Sequence, residues 1–266
     1  MNLKKRFWSS SGLILLVGLA IVFYPVCGIL VTLLVGIGLL EFFNMVENKG
    51  VKLFKTFGLL IGLFLPISIY FKLPINEGWQ FLFVVAGLFM LFLLELTKRK
   101  NYEPILSISA TVFGIIYIPW CFSSLLRIRQ LPDGLVLVAF LLAVTKAGDI
   151  GAYFFGKRFG KISLIKRVSP KKSLEGSLGG FLVSLLVGVI FSLFVKDLLF
   201  FWEKFFLTTV LAIIAQLGDL FESLLKRDCN VKDSGNILPG IGGVLDVVDS
   251  LIFTAPTFYL YITMIR

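Results

Sequence analysis

The chain has 266 residues, of which 58% are hydrophobic, and it carries a mean hydropathy of +0.95 and a net charge of +10. Soluble globular proteins do not reach such values, so this composition excludes that class and predicts an all-α, polytopic integral membrane protein. The chain has no histidine, which removes the commonest general base and metal ligand near neutral pH. Its three cysteines, Cys27, Cys121 and Cys229, are scattered and predict neither a disulfide framework nor a zinc site.

Apolar segments of about 20 residues, the length that crosses a bilayer as a helix, follow one another along the chain. The nine segments are 10–25, 26–46, 53–71, 79–97, 104–125, 135–155, 176–195, 204–225 and 244–265. Only Tyr24-Pro25 separates the first two, which form either a tight hairpin or a bent re-entrant unit. We therefore predict about nine transmembrane helices, five in an N-terminal region (1–130) and four in a C-terminal catalytic region (131–266).

Lysine and arginine residues are distributed unevenly between the two sides of this predicted membrane protein. With the N-terminus in the cytoplasm, 19 of the 26 basic residues fall on the cytoplasmic side and six on the other, and Lys146 lies inside a segment. By the positive-inside rule, the loops 156–175 and 226–243 face the cytoplasm of a multi-pass protein of the cell inner (plasma) membrane. Membrane topology accounts for the basic charge, and no soluble region is long enough to predict nucleic-acid binding.

The first of these loops combines basic residues with a helix start. Seven lysines and arginines lie between Lys157 and Lys172, and Ser173 and Glu175 precede two glycines at the start of the next segment. Backbone amides at a helix N-terminus favour phosphate, and lysine adds charge. The candidate phosphate-binding residues here are Lys171, Lys172, Ser173 and Glu175. The alternative is an ordinary basic loop followed by a capped helix start.

The second stretch, Gln216 to Ser250, places acidic clusters on two successive apolar segments. The first cluster falls at i, i+3, i+4 and i+7, so its members share one helix face: Asp219, Glu222, Ser223 and Lys226. Asp246 and Asp249 follow on the next segment. Acids inside membrane segments are costly, which favours a functional role over the alternative of helix-end charges facing water. Oxygen ligands suit Mg²⁺, and the candidate metal ligands are Asp219, Asp246, Asp249, Glu222 and Ser223.

Acids for a divalent cation beside cations for phosphate indicate phosphoryl or nucleotidyl transfer. A cation transporter that uses the intramembrane acids is the alternative from a different class. Such a transporter would place its acids near mid-bilayer in two symmetric halves, and the sequence shows no internal repeat. Glu41 and Glu95 are interpreted as boundary residues near the ends of the second and fourth segments.

Four short motifs resemble the signature of the phosphatidate cytidylyltransferase (CDP-diacylglycerol synthase) family, which runs S-x-x-K-R, K-D, P-G-H-G-G and D-R-x-D. Here they read Ser223-Leu-Leu-Lys226-Arg227, Lys232-Asp233, Pro239-Gly240-Ile241-Gly242-Gly243 and Asp246-Val247-Val248-Asp249. The specific resemblance covers Lys146 to Ser250. Ile241 replaces the histidine of the signature and Val247 replaces its arginine, so we expect reduced activity.

The resemblance implies nucleotidyl transfer from CTP to phosphatidate, giving CDP-diacylglycerol and pyrophosphate in phospholipid biosynthesis, with Mg²⁺ as cofactor. It implies catalytic roles for Asp219, Asp246, Asp249 and Lys226, and adds Arg227 and Lys232 to the phosphate-binding candidates. CTP, phosphatidate and membrane lipid are the expected partners, and a homodimer is one expected assembly. A CTP-dependent transferase acting on another membrane lipid is the nearest alternative.

Overall fold

The structure, a computed structural model, describes residues 3–74, 77–97, 103–194, 201–240 and 242–265. Within these ranges the chain forms ten α-helices and one β-hairpin. In chain order they are α1 (Leu3–Val22), α2 (Tyr24–Asn48), α3 (Lys55–Tyr70), α4 (Glu77–Leu96), α5 (Pro104–Ile115), α6 (Ser124–Gln130), α7 (Gly134–Phe159), β1 (Ser163–Ile165), β2 (Ser169–Ser173), α8 (Leu174–Phe194), α9 (Phe201–Asp228) and α10 (Leu245–Ile265). A π-helical turn (Ile116–Trp120) follows α5 and leads to α6. It contains Pro119, which cannot donate the regular helical hydrogen bond.

Most of these helices are suited to a bilayer. In the described ranges, six segments are long and apolar enough to cross a membrane: Tyr24–Asn48, Pro104–Gln130, Gly134–Phe159, Leu174–Leu193, Trp202–Asp228 and Leu245–Met264. Large apolar side chains face outward, with Phe89 and Leu182 each 60% exposed, as lipid contact allows and water does not. The prediction of a helical, multi-pass membrane protein is thereby confirmed.

The predicted number of about nine spans is not confirmed. Three of the nine predicted segments correspond to apolar helices that are shorter than the other six: Ser11–Val22, Lys55–Tyr70 and Leu82–Leu96. The first two segments are separate helices that break at Phe23, where Pro25 lies in the first turn of α2. Proline is accepted there because the first amides of a helix have no intrahelical partner.

A β-hairpin adds to the predicted all-α fold. β1 and β2 pair antiparallel, with Ser163 opposite Ser173 and Ile165 opposite Ser169. β1 has only three residues and β2 is polar, so neither gives an alternating apolar pattern and the sequence predicted only a loop here. The hairpin connects α7 to α8, and the two helices are also joined by a hydrogen bond of 2.9 Å from Ser184 Oγ to the carbonyl of Val144.

One hydrophobic core joins the helices of both predicted regions. Helices α2, α6, α7, α9 and α10 contribute side chains that are almost completely buried: Leu39, Leu126, Leu141, Leu211 and Ile252. The core therefore continues across the boundary proposed at residue 130, and the division into two regions remains a prediction.

The two loops singled out in the sequence meet at one end of the molecule. Arg227, in the last turn of α9, donates from Nε to the carbonyl of Val168 in the hairpin over 3.2 Å. Lys172 Nζ of β2 lies 2.5 Å from Asp219 Oδ1 of α9. The hairpin thus packs against α9, next to the start of the loop that leads to α10, and the side of the membrane that both face stays a prediction.

Candidate active site

The acids of α9 and α10 are brought together by close helix packing. Along α9, Glu222 is almost completely buried, and on α10 Asp249 is buried as well. A Cβ atom at Gly218 would lie 2.8 Å from the carbonyl oxygen of Asp249. Glycine at this position therefore lets the α9 backbone approach α10 next to Asp219. The predicted helical face of α9 and the predicted acids of α10 border one site.

Lys226 joins the acidic clusters of the two helices. Its ammonium group pairs with Glu222 on the same helix and lies 2.5 Å from Asp246 Oδ1 on α10. The side chain of Lys226 is only 12% exposed and that of Glu222 only 1%. Charges so far removed from water are tolerated when they are paired. Lys226 therefore neutralises acids that would otherwise repel one another.

The other oxygen of Asp246 is held by the loop that precedes α10. Asp246 Oδ2 accepts hydrogen bonds from Ser234 N and Ser234 Oγ, both at 2.9 Å, and from Gly243 N at 2.8 Å. An acid in the first turn of a helix is favoured by the helix dipole. Asp246 is thus fixed on both sides, by Lys226 and by the loop, and Ser234 is a site residue that the sequence analysis missed.

The hairpin supplies a second lysine. Besides its ion pair with Asp219, Lys172 Nζ donates to Ser223 Oγ over 3.3 Å. Lys171 precedes it on β2 and is exposed; successive strand residues face opposite sides. The structure therefore brings Lys172, Asp219 and Ser223 together as one group, and Lys171 does not join it.

Three other candidate phosphate ligands hold backbone groups. Ser173 Oγ accepts from Gly176 N at 3.1 Å and caps α8, and Glu175 accepts from Lys161 N at 3.1 Å and from Ile162 N at 3.2 Å. Arg227 also donates to the carbonyl of Val231 at 3.3 Å, besides its bond to the hairpin. These bonds anchor the hairpin and agree with the alternative of a capped helix start. Lys232 is exposed, and phosphate binding by these residues stays a prediction.

A further charged group lies beside Asp249. Lys146 Nζ of α7 donates to Asp149 Oδ2 at 2.8 Å, to Ser250 Oγ at 2.9 Å and to the carbonyl of Val247 at 3.0 Å. Asp249 Oδ1 accepts from the adjacent Ser250 N at 2.6 Å. Lys146 therefore ties α7 to the helix that carries the second acidic cluster.

The donor chemistry fits Mg²⁺, but the acids are not arranged as a preformed metal cage. In the described ranges, no group of three or more acidic or cysteine side chains is placed to hold a metal ion. Glu222 Oε1 is buried, and within the same ranges it has no hydrogen-bond partner. Such an oxygen atom is an available hard ligand, although the other oxygen of Glu222 is paired with Lys226, and Asp219 and Asp246 are also paired with lysines. Coordination by all the predicted ligands therefore requires these ion pairs to open.

The interpretation of Glu41 as a boundary residue is wrong. Its side chain, in the second half of α2, does not face a membrane boundary: it is buried and accepts hydrogen bonds from Val244 N at 2.9 Å and Leu245 N at 3.0 Å. No local pattern links positions about 200 residues apart, so sequence spacing gives no signal for this contact. Of the two departures from the family signature, Ile241 lies outside the described residues and Val247 is half-buried on α10.

Buried acids paired with lysines at one end of a helical bundle define a polytopic membrane protein with a polar site suited to anionic substrates. The family model described as "Cytidylyltransferase family" matches residues 4–265. The chain therefore belongs to the cytidylyltransferase family, which confirms the resemblance seen in its motifs.

Curated relatives from several bacteria are named phosphatidate cytidylyltransferase. The phosphatidate cytidylyltransferase of Bacillus subtilis is 35% identical over 239 residues, covering 87% of this chain and 88% of the relative. That of Synechocystis is 32% identical over 264 residues, covering 88% and 87%. The Thermotoga maritima protein of this name is 36% identical over 190 residues, covering 70% and 68%.

Proposed function

We propose that the chain transfers the cytidylyl group of CTP to phosphatidate, giving CDP-diacylglycerol and pyrophosphate. The observation that carries this proposal is the meeting of Lys172 and Lys226 with the acids of α9 and α10 in a chain of this family. The names of its curated relatives support phosphatidate as the acceptor. Family membership does not favour the cation-transporter alternative.

The reaction requires little covalent chemistry from the protein. An oxygen of the phosphatidate phosphate attacks the α-phosphorus of CTP, a new P–O bond forms, and the bond to the β-phosphate breaks to release pyrophosphate. A phosphomonoester has a second pKa of about 6, so the attacking oxygen is largely ionised near neutral pH without a general base. A chain without histidine can therefore catalyse this step by positioning two anionic substrates and neutralising their charge.

The lysines and acids divide this work. Asp219, Asp246 and Asp249 would hold Mg²⁺, with Glu222 and Ser223 as supporting ligands. Bound Mg²⁺ supplies positive charge next to phosphate oxygens. Lys172 and Lys226 are paired with carboxylates in the structure, and in the substrate complex their ammonium groups face the phosphates of CTP. The lipid enters sideways from the bilayer and CTP from the aqueous side.

We also propose nine spans in the inner membrane, with the site facing the cytoplasm. The uneven distribution of basic residues and the three shorter apolar helices support this topology. Homodimer formation remains a prediction.

Thiol labelling tests the topology. In a cysteine-free background, Lys166→Cys in the hairpin and Asn236→Cys in the α9–α10 loop are expected to react with an impermeant reagent only after the cells are opened. Leu73→Cys, which follows α3 on the opposite side, is the matched control and is expected to react in intact cells. Labelling of the hairpin or loop position from outside would contradict the cytoplasmic placement.

An assay with purified protein tests the reaction itself. We expect CTP and Mg²⁺ to give pyrophosphate when phosphatidate is present. We expect no pyrophosphate when diacylglycerol replaces it, because diacylglycerol has no phosphate oxygen that could attack the α-phosphorus of CTP. Competition between phosphatidate and other phosphorylated lipids in detergent identifies the preferred acceptor. Pyrophosphate release without any lipid acceptor would contradict the proposal.

The same assay tests the proposed effect of Ile241 and Val247. A histidine or arginine at these positions would add a hydrogen-bond donor to the phosphates, and losing one such donor typically costs on the order of 10²-fold in rate. The double variant Ile241→His/Val247→Arg is therefore expected to turn over faster than the parent at saturating CTP. A folded double variant with the parental rate would show that these positions do not limit catalysis.

A further inference from the structure

The carboxylate of Glu41 caps a helix that is distant in the sequence. Glu41 lies on α2 and is 4% exposed, and its partners are the backbone amides at the start of α10. The first amides of a helix have no intrahelical acceptor and carry partial positive charge. In the part of the chain that the structure describes, no basic side chain pairs with Glu41. The N-terminus of α10 therefore stabilises this buried carboxylate, and the carboxylate in turn fixes that end of α10.

The backbone at the start of α10 also holds Asp246. The amide of Gly243 donates to Asp246 Oδ2, and the next two amides along the chain donate to Glu41. Ser234 Oγ lies 2.9 Å from Asp246 Oδ2 and 3.2 Å from Glu41 Oε2. A hydroxyl group carries one proton, so it donates to one of the two carboxylates at a time. Glu41 and Asp246 are thus linked through three consecutive amides and one shared hydroxyl.

The loop leaves room for the Glu41 carboxylate by using glycine. A Cβ atom at Gly235 would lie 2.4 Å from Glu41 Oε1, and one at Gly243 would lie 2.6 Å from Glu41 Oε2. Contacts this short require the carboxylate or the loop to shift. The position of the loop therefore depends on where Glu41 lies.

We infer that Glu41 is a positioning residue for the cytidylyl transfer. It fixes Ser234 and the residues at the start of α10, Val244 and Leu245, and Ser234 and Gly243 in turn hold Asp246 next to the ammonium group of Lys226. Glu41 acts through Asp246 and does not contact the substrates. This inference rests on the proposed function, and it assigns α2, in the N-terminal region, a part in shaping the site.

Glu41→Gln is the direct test. The amide side chain keeps the size of glutamate, but its nitrogen is a donor and cannot accept from a backbone amide. Loss of an outer partner that orients a ligand typically costs about 10–100-fold in activity, and we expect kcat to fall within this range. The matched control is Glu47→Gln on the same helix. The carboxylate of Glu47 pairs at 2.7 Å with Lys55 near the surface, and this variant is expected to leave the rate unchanged.

A structural role alone would lower the melting temperature and leave the rate per folded molecule unchanged. Rates are therefore measured well below the melting temperature of each variant and normalised to folded protein. Gly235→Ala provides a second variant, because it pushes on Glu41 without removing it, and it is expected to reduce kcat as well. If Glu41→Gln does not fold, Gly235→Ala decides alone.

Coupling between the two carboxylates gives the final readout. Ser234→Ala removes the shared hydroxyl group. The effects of substitutions within one hydrogen-bond network are not additive. The double variant Glu41→Gln/Ser234→Ala is therefore expected to be little slower than the slower of the two single variants. With Glu47→Gln in place of Glu41→Gln, the effects should add. The inference would be overturned if folded Glu41→Gln or Gly235→Ala had the parental rate, or if the effects of Glu41→Gln and Ser234→Ala were fully additive. An inactive parent protein would overturn the proposed function instead.

Discussion

Asp246→Asn is expected to lower the rate of CDP-diacylglycerol formation by on the order of 10²–10³-fold, the range typical of losing one electrostatic partner of the reacting groups. In the structure, Asp246 contacts the ammonium group of Lys226 through one oxygen and three loop donors through the other. Asparagine keeps the size but loses the negative charge, and its amide nitrogen cannot accept a hydrogen bond. It therefore cannot accept from both Lys226 and the loop donors, and it lacks the charge that would hold a divalent cation.

The matched control is Asp228→Asn at the end of the neighbouring helix α9. Asp228 pairs with Lys49 at 2.7 Å, and its side chain is 64% exposed. Exposed ion pairs contribute little, about 0–1 kcal/mol, so this variant is expected to retain the parental rate. Asp219→Asn and Asp249→Asn are expected to lose most activity as Asp246→Asn does. Near-parental activity of any of the three at limiting Mg²⁺ would remove that residue from the metal ligands.

Lys226→Met is expected to lower both stability and activity. The substitution leaves Glu222 and Asp246 buried near each other without the ammonium group that pairs with both. Removing one partner of a buried ion pair typically costs about 3–5 kcal/mol, since the remaining charge is no longer compensated. We therefore expect a clear fall in melting temperature in detergent, together with the loss of CDP-diacylglycerol formation.

Two further variants separate these effects. Lys49→Met breaks only the exposed pair with Asp228, and we expect it to change neither stability nor rate appreciably. Lys226→Met/Glu222→Gln removes both charges of the buried pair, which restores part of the stability, but it does not restore activity because the cation near the phosphates is still missing. Recovery of activity together with stability in this double variant would show that Lys226 acts only on the fold.

The parts of the site that could be predicted depend on local periodicity. The face of α9 follows from helical spacing alone, and the membrane segments follow from runs of apolar residues long enough for a bilayer. The pairing of Lys172 with Asp219 and the cap that Glu41 forms on α10 could not be predicted, because both depend on the register between elements far apart in the chain. The acids were predicted as metal ligands, whereas the structure shows three of them, Asp219, Glu222 and Asp246, paired with lysines.

The hairpin shows the same limit. Its strands have three and five residues and lack an apolar alternation, so the sequence indicates only a basic loop. The pairing of β1 with β2 nevertheless places Lys172 next to α9 while Lys171 stays exposed. The geometry of the strand therefore determines which of the two adjacent lysines reaches the site, and composition alone does not predict it.

Transfer of the cytidylyl group to phosphatidate is followed through the α-phosphate of CTP. Purified parent protein is incubated with CTP labelled at the α-phosphorus, with Mg²⁺, and with either phosphatidate or diacylglycerol. We predict that the label enters the organic-soluble lipid fraction only with phosphatidate, in equal amount to the pyrophosphate released. A folded parent protein that leaves the label in the aqueous phase with phosphatidate, or transfers it equally well with diacylglycerol, would contradict the account.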